Sequence, residues 1–106
     1  MISSHILDTN LGKPAVNVSI QLFNAHGELL GSAQTNADGR VNDFALKDFT
    51  AGAYSLEFAT AEYFQTLNTE TFFSKAVIHF YVKDASQHFH IPLLISPFAY
   101  STYRGS

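Results

Sequence analysis

The chain has 106 residues, six lysines and arginines against nine aspartates and glutamates, a net charge of −3 and no cysteine. That length sets a single domain over residues 1–106, the charge offers nothing to draw nucleic acid or an anionic membrane surface, and the missing cysteines exclude disulfides, thiolate catalysis and sulfur-ligated metal. Hydrophobic residues make up 46% of the chain and charged residues 14%, against about 25% charged in average soluble proteins, which leaves neutral and apolar surface for contacts between subunits.

The N-terminal "MISSHILDTN" has neither a basic stretch nor a long apolar run, so it does not read as a signal peptide. It implies a cytoplasmic protein, or a periplasmic one if a leader has been removed. No apolar run approaches the roughly 20 residues of a membrane span. Over Ala15–Asn24, Val16, Val18, Ile20 and Leu22 alternate with Asn17, Ser19 and Gln21, the period of a half-buried strand. A turn at "NAHGE" leads into "LLGSAQT" as the hairpin partner. "NADGR" is a turn, because Gly39 tolerates positive φ after Asp38.

"GAYSLEF" is a further strand, with Tyr54, Leu56 and Phe58 on one face. "TAEYFQTLN" breaks the alternation: Tyr63, Phe64 and Leu67 share one side of a short helix, and Thr60 is placed to cap its start. "KAVIHFYVKD" returns to period two, with Ala76, Ile78, Phe80 and Val82 together. After a "DASQ" turn, "HFHIPLLI" is a strand in which Pro92 removes a ladder donor, so an edge or a bulge is expected there. "AYSTYRGS" is the last strand. The sum is seven or eight short strands and one helix, the pattern of a β-sandwich.

Four stretches carry side chains suited to chemistry. They are His5 in "SSHILD", Arg40 in "NADGR", the pair His88 and His90, and the tail. Residues two apart in a strand face the same side, so His88 and His90 project together. With His5 they form a possible zinc donor set, but no aspartate or glutamate stands near the pair and the pattern does not carry a metal. His26 in its turn and His79 in mid-strand read as surface or hydrogen-bonded imidazoles. Arg40 and Arg104 are the two arginines, and a guanidinium fork suits a planar ligand with several oxygens better than an ammonium does.

Taken together, "SSHILD", "TNADGR" and "HFHIPLLISPFAYSTYRGS" resemble the transthyretin-like proteins, and the final Tyr-Arg-Gly-Ser resembles the 5-hydroxyisourate hydrolases of that family. Two positions depart from the enzymes' usual pattern: Ala99 stands where they often have Gly, and Phe72-Phe73-Ser74-Lys75 where they often have Phe-Phe/Tyr-Pro-Glu. The resemblance implies an eight-stranded antiparallel β-sandwich with one short helix. It also implies hydrolysis of 5-hydroxyisourate to 2-oxo-4-hydroxy-4-carboxy-5-ureidoimidazoline in urate degradation, with no metal and no cofactor. The matching site residues are His5, Arg40, His90 and Ser106 for catalysis, with His5, Arg40 and Tyr103 holding substrate. The resemblance does not extend catalysis to His88, and it leaves open which histidine activates the water. It further implies a homotetramer with sites at a subunit interface, and a tail that ends on Ser106 because it folds into the site. The alternative from the same family is a binding module for small aromatic ligands, as in transthyretin itself, which lacks the terminal motif.

Overall fold

The computed structural model describes residues Met1–Ser106. Its strands in chain order are β1 (Ile2–Asp8), β2 (Lys13–Pro14), β3 (Ser19–Asn24), β4 (Leu29–Gln34), β5 (Arg40–Val41) and β6 (Gly52–Phe58). Helix α1 (Thr60–Thr66) follows, then β7 (Ala76–Val82), β8 (Phe89–Ser96) and β9 (Ala99–Thr102). One sheet runs β2-β1-β8-β9, with β5 also paired to β1, and the other runs β4-β3-β6-β7.

The alternating residues explain the two layers. Ile2 and Ile6 of β1, Ile20 and Leu22 of β3, Leu56 and Phe58 of β6, and Leu93 and Ile95 of β8 meet in one buried cluster. Their neighbours along each strand face outward. The sandwich expected from the sequence is present, with two differences. Nine strand segments are present, of which β2 and β5 have two residues each. The sandwich is also not wholly antiparallel, because β1 and β8 run parallel from Ile2 opposite Phe89 to Asp8 opposite Ile95.

Other local expectations shift for physical reasons. Val16 is exposed and β3 starts only at Ser19, since Asn17 takes a left-handed conformation at φ 61°. Thr60 does not cap the helix. The cap position is Ala59, without a side-chain bond, and Thr60 is buried as the first helical residue. A two-turn helix is marginal alone, and this one is held by the buried rings of Tyr63 and Phe64, while Leu67 is exposed. Its C-terminus closes as a Schellman motif: Thr69 N–H donates to Phe64 O, Asn68 N–H to Gln65 O, and Asn68 sits at φ 52°.

Pro92 lies in neither an edge strand nor a bulge. β8 is flanked by β1 and β9. The register that pairs Leu93 with Thr102 and His90 with Gly105 sets Pro92 against Tyr103, where the β8–β9 ladder is interrupted. The proline's lost donor falls in that gap, and the Thr102 hydroxyl donates to the Pro92 carbonyl at 2.7 Å.

The helix is locked to the sheet by one buried polar contact. Asp8 is fully buried; its Oδ1 accepts the Asn10 and Leu11 amides at 2.9 and 3.1 Å, and its Oδ2 accepts the Tyr63 hydroxyl at 2.7 Å. Burial and then this bond push the Tyr63 phenol above its usual range. Tyr63→Phe strands a buried carboxylate oxygen and is expected to cost about 1–3 kcal/mol, read by denaturant unfolding. A loss below about 0.5 kcal/mol, the range of an ordinary surface change, would show that Asp8 finds another partner.

Candidate active site

The outer face of the β2-β1-β8-β9 sheet gathers the marked residues. On β1, Ile2 and Ile6 belong to the core, so Ser3, His5 and Leu7 turn the other way. In register, Ser3 sits beside His90 and His5 beside Pro92. On its other flank His5 pairs with Arg40 of β5. Three segments far apart in sequence thereby set His5, Arg40 and His90 on one surface.

The "NADGR" turn places Arg40. Asn36 Oδ1 accepts the amides of Asp38 and Arg40 at 2.9 and 3.0 Å, and Asn36 N–H donates to Arg40 O. Gly39 adopts φ +72°, and a Cβ there would lie 2.6 Å from Ile6 O. Its own carbonyl accepts the Ile6 amide at 2.8 Å. Glycine is therefore required both for the turn and for the close approach to β1.

The site's electrostatics follow from partial burial and one cation. Desolvation first, and then the Arg40 charge, hold both imidazoles below their ordinary value of 6.5; Asp38 opposes this in part for His5. For His90 the charges of His88 and His5 add to the same direction. Both rings are accordingly poised as neutral bases beside a fixed guanidinium.

The tail reaches this face by its backbone. Gly105 N–H donates to His90 O at 2.9 Å, and a Cβ on Gly105 would lie 2.5 Å from His90 Cδ2 and 2.9 Å from Pro92 Cγ. Tyr103 is exposed and borders a cleft of about 260 Å³ with Ile78, Tyr81, Phe89 and His90. Its hydroxyl and that of Ser106 make no hydrogen bond within the chain. Arg104 points away from His5: its guanidinium stacks 4.7 Å from the Phe89 ring centre and donates to Gln87 Oε1 at 3.2 Å. His5, His88 and His90 do not converge as a three-donor metal set.

One participant carried no signal in the sequence. The Ser3 hydroxyl lies 2.6 Å from His88 Nε2 and 2.8 Å from His90 Nδ1. A lone serine near the N-terminus says nothing until the parallel β1–β8 register puts it between two imidazoles. The largest cavity, about 670 Å³, is on the other sheet, lined by Ser19, Gln21, Gln34, Glu57 and Lys75 among others. It contains a Lys75–Glu57 ion pair at 2.7 Å and no histidine or arginine.

The sandwich thus gathers two imidazoles and a guanidinium on one sheet's outer face. The chain belongs to the HIUase/Transthyretin family, whose model matches residues 2–105. It is 41% identical over 112 residues to the 5-hydroxyisourate hydrolase of Caulobacter vibrioides, spanning 99% of this chain and 97% of that one. It is 38% identical over 114 residues to 5-hydroxyisourate hydrolase 2 of Rhizobium meliloti, spanning 99% and 95%. Among solved structures, the 5-hydroxyisourate hydrolase of Klebsiella pneumoniae matches with a TM-score of 0.91 at 41% identity over 99% of this chain and 98% of that one. Sea bream transthyretin in complex with thyroxine matches at 0.91 and 28% identity over 98% and 93%. The architecture is thus the transthyretin-like sandwich.

The shared cation makes a direct prediction. In an NMR titration the His5 and His90 rings are expected to change charge below pH 6.5. Arg40→Met removes a charge that opposes protonation, so both midpoints should move up toward 6.5. Midpoints that stay in place would separate Arg40 from the two imidazoles.

Proposed function

We propose that this chain hydrolyses 5-hydroxyisourate, opening its six-membered ring to give 2-oxo-4-hydroxy-4-carboxy-5-ureidoimidazoline. The observation that carries the reading at the level of the site is the convergence of His5, Arg40 and His90, with Arg40 biasing both imidazoles toward the neutral form. The full-length likeness to hydrolases supports the substrate.

Each step has a group suited to it. A neutral imidazole takes a proton from water as the water oxygen bonds to the ring carbonyl carbon. Arg40, exposed and carrying a fork of N–H donors, holds the ring oxygens and stabilises the oxyanion that grows on that carbonyl. The C–N bond then breaks, and the proton held by the imidazole passes to the departing ring nitrogen. His5 and His90 share the work of base and of substrate contact. Tyr103 and Ser106, brought beside His90 by the Gly105 bond, close the site over the planar substrate.

The same reading includes a homotetramer with sites at subunit interfaces. β7 and β9 each form one open edge of their sheet and border one cleft, and unpaired edges favour pairing with another chain. Phe72, Tyr81, Phe98 and Tyr103 are large exposed rings on those segments and their turns. Sedimentation at micromolar concentration should show an assembly of four chains; an active 11.7 kDa monomer would rule out a shared site.

The reading itself is tested by adding the protein to freshly oxidised urate and following the decay of the intermediate's near-ultraviolet absorbance. Decay no faster than the spontaneous rate would overturn it. Arg40→Lys keeps the charge and loses the fork, so kcat/KM should fall by about 2–4 kcal/mol of transition-state stabilisation; near-full activity would remove the bidentate role. Gly105→Ala should lift the tail from His90 and Pro92 and lose activity as fully as deletion of Tyr103–Ser106. A folded, fully active Gly105→Ala protein would take the tail out of the mechanism.

A further inference from the structure

Ser3 links two rings, and a hydroxyl has only one hydrogen to give. Its Oγ is 2.6 Å from His88 Nε2 and 2.8 Å from His90 Nδ1, so Ser3 can donate at only one contact, and at the other a ring N–H donates to it. If Ser3 donates to His88, His90 carries its proton on Nδ1 and its Nε2 lone pair is free. If Ser3 donates to His90, the His90 proton sits on Nε2. The three groups therefore form one switchable chain. Ser3 is only 4% exposed, so water does not readily take its place. The carbon next to Nε2, His90 Cδ2, is the atom against which Gly105 packs. The free nitrogen thus lies on the edge of the ring flanked by the tail.

We propose that Ser3 and His88 form a proton relay that sets the tautomer of His90 and carries charge away from the site during turnover. This rests on the hydrolase reading above. His90 takes the water proton at Nε2 and releases its Nδ1 proton to Ser3 Oγ, while Ser3 passes its own proton to His88 Nε2. Ser3 ends as a hydroxyl, His90 as a neutral ring protonated on Nε2, and His88 as the imidazolium. When His90 gives its Nε2 proton to the departing ring nitrogen, the same protons run back and His88 returns to neutral. The number of protons is unchanged around the cycle.

The arrangement has a physical reason. An imidazolium at His90 would form in a partly desolvated position, beside the Arg40 charge and within reach of His88 and His5, all of which oppose it. His88 is exposed and so is solvated by water when charged. The other charged groups near this end are the Met1 ammonium, which contacts Gln87 O at 3.5 Å, Arg104, turned toward Phe89 and Gln87, and the Asp84 carboxylate of the preceding turn, which is taken up by the Ser86 amide and hydroxyl. None of the three makes a bond to His88 or to Ser3. Ser3 and His88 are positioning and relay residues, and His90 is the group that meets the reacting water.

The test uses the full chain and variants Ser3→Ala, Ser3→Thr, His88→Ala and the Ser3→Ala/His88→Ala pair. Nitrogen-15 NMR of the histidine rings reads the inference without substrate. The resting protein should hold His90 protonated on Nδ1, Ser3→Ala should release it to a mixture or to the Nε2 form, and Ser3→Thr should restore the Nδ1 form. In turnover, Ser3→Ala and His88→Ala should each lower kcat by roughly ten- to a hundredfold, at or below the lower end of the usual range for direct acid–base catalysis, with KM within about twofold. The double variant should be no worse than either single one, as expected of groups acting as a unit. The inference fails if His90 has the same tautomer in the resting protein and Ser3→Ala, or if the two single effects on kcat multiply. If the unaltered protein has no turnover, the hydrolase reading falls, and the NMR comparison still decides whether Ser3 sets the His90 tautomer.

Discussion

Everything at the site depends on the parallel pairing of β1 with β8. Its register sets Ser3 beside His90 and His5 beside Pro92, and the same strand β1 holds Arg40 on its other side. Parallel neighbours cannot be joined by a tight turn, and here the rest of the sandwich is the connection. The Ser3 contacts to His88 and His90 span 85 and 87 residues. No local segment can assemble the site, so the imidazoles meet only when β1 and β8 have paired. Long-range contacts of this kind come at a cost in loop closure that the buried cluster must offset.

Partial burial and a single guanidinium then set the chemistry of the surface. The chain is acidic overall, yet the face around His5 and His90 is locally cationic through Arg40, and both rings are disfavoured as imidazolium. Desolvation does most to keep the two bases unprotonated, and Arg40 adds to that effect while standing as a fixed cation for negative charge that develops on substrate. The rigidity of the "NADGR" turn matters for that reason. Asn36 binds two amides of the turn through one oxygen, and Gly39 packs too closely on Ile6 O for any side chain, so Arg40 is presented from a fixed base.

The sequence made much of this visible and concealed the rest for identifiable reasons. Alternation revealed the strands around β3, β6 and β7, where apolar residues recur at period two, and the turns ahead of them marked out β4, β8 and β9. β1 did not show itself as a strand, because Ser4 and Asp8 share its core-facing side with Ile2 and Ile6. The buried hydrogen bonds that make those polar residues acceptable are long-range. Pro92 suggested an edge, since a missing donor ordinarily needs one; the structure hides it in a gap between two pairings of β8 with the tail. His5, Arg40 and His90 were found through motif resemblance, and the structure brings these three together. Tyr103 and Ser106 came with the same motif, and only the backbone of their segment is tied to His90. Ser3 was legible to neither route, as its meaning lies entirely in register.

The two arginines show how far period two extends. Both stand in marked stretches, and composition alone gives no reason to separate them. Continuing the β8–β9 register past Thr102 sets Gly105 against His90, as observed, and so sets Arg104 against Ile91, a residue of the core face. Alternation thus sends Arg104 to the side opposite Gly105. There its guanidinium covers the Phe89 ring at 4.7 Å and meets Gln87, where a planar cation on an aromatic face is worth up to a kcal/mol or so, about 0.5–1 at exposed sites. One face of the tail therefore lies on the His90 ring while the other grips the residue just before it. Arg40 acts on the imidazoles through its field, and Arg104 acts on them through the tail that it holds in register.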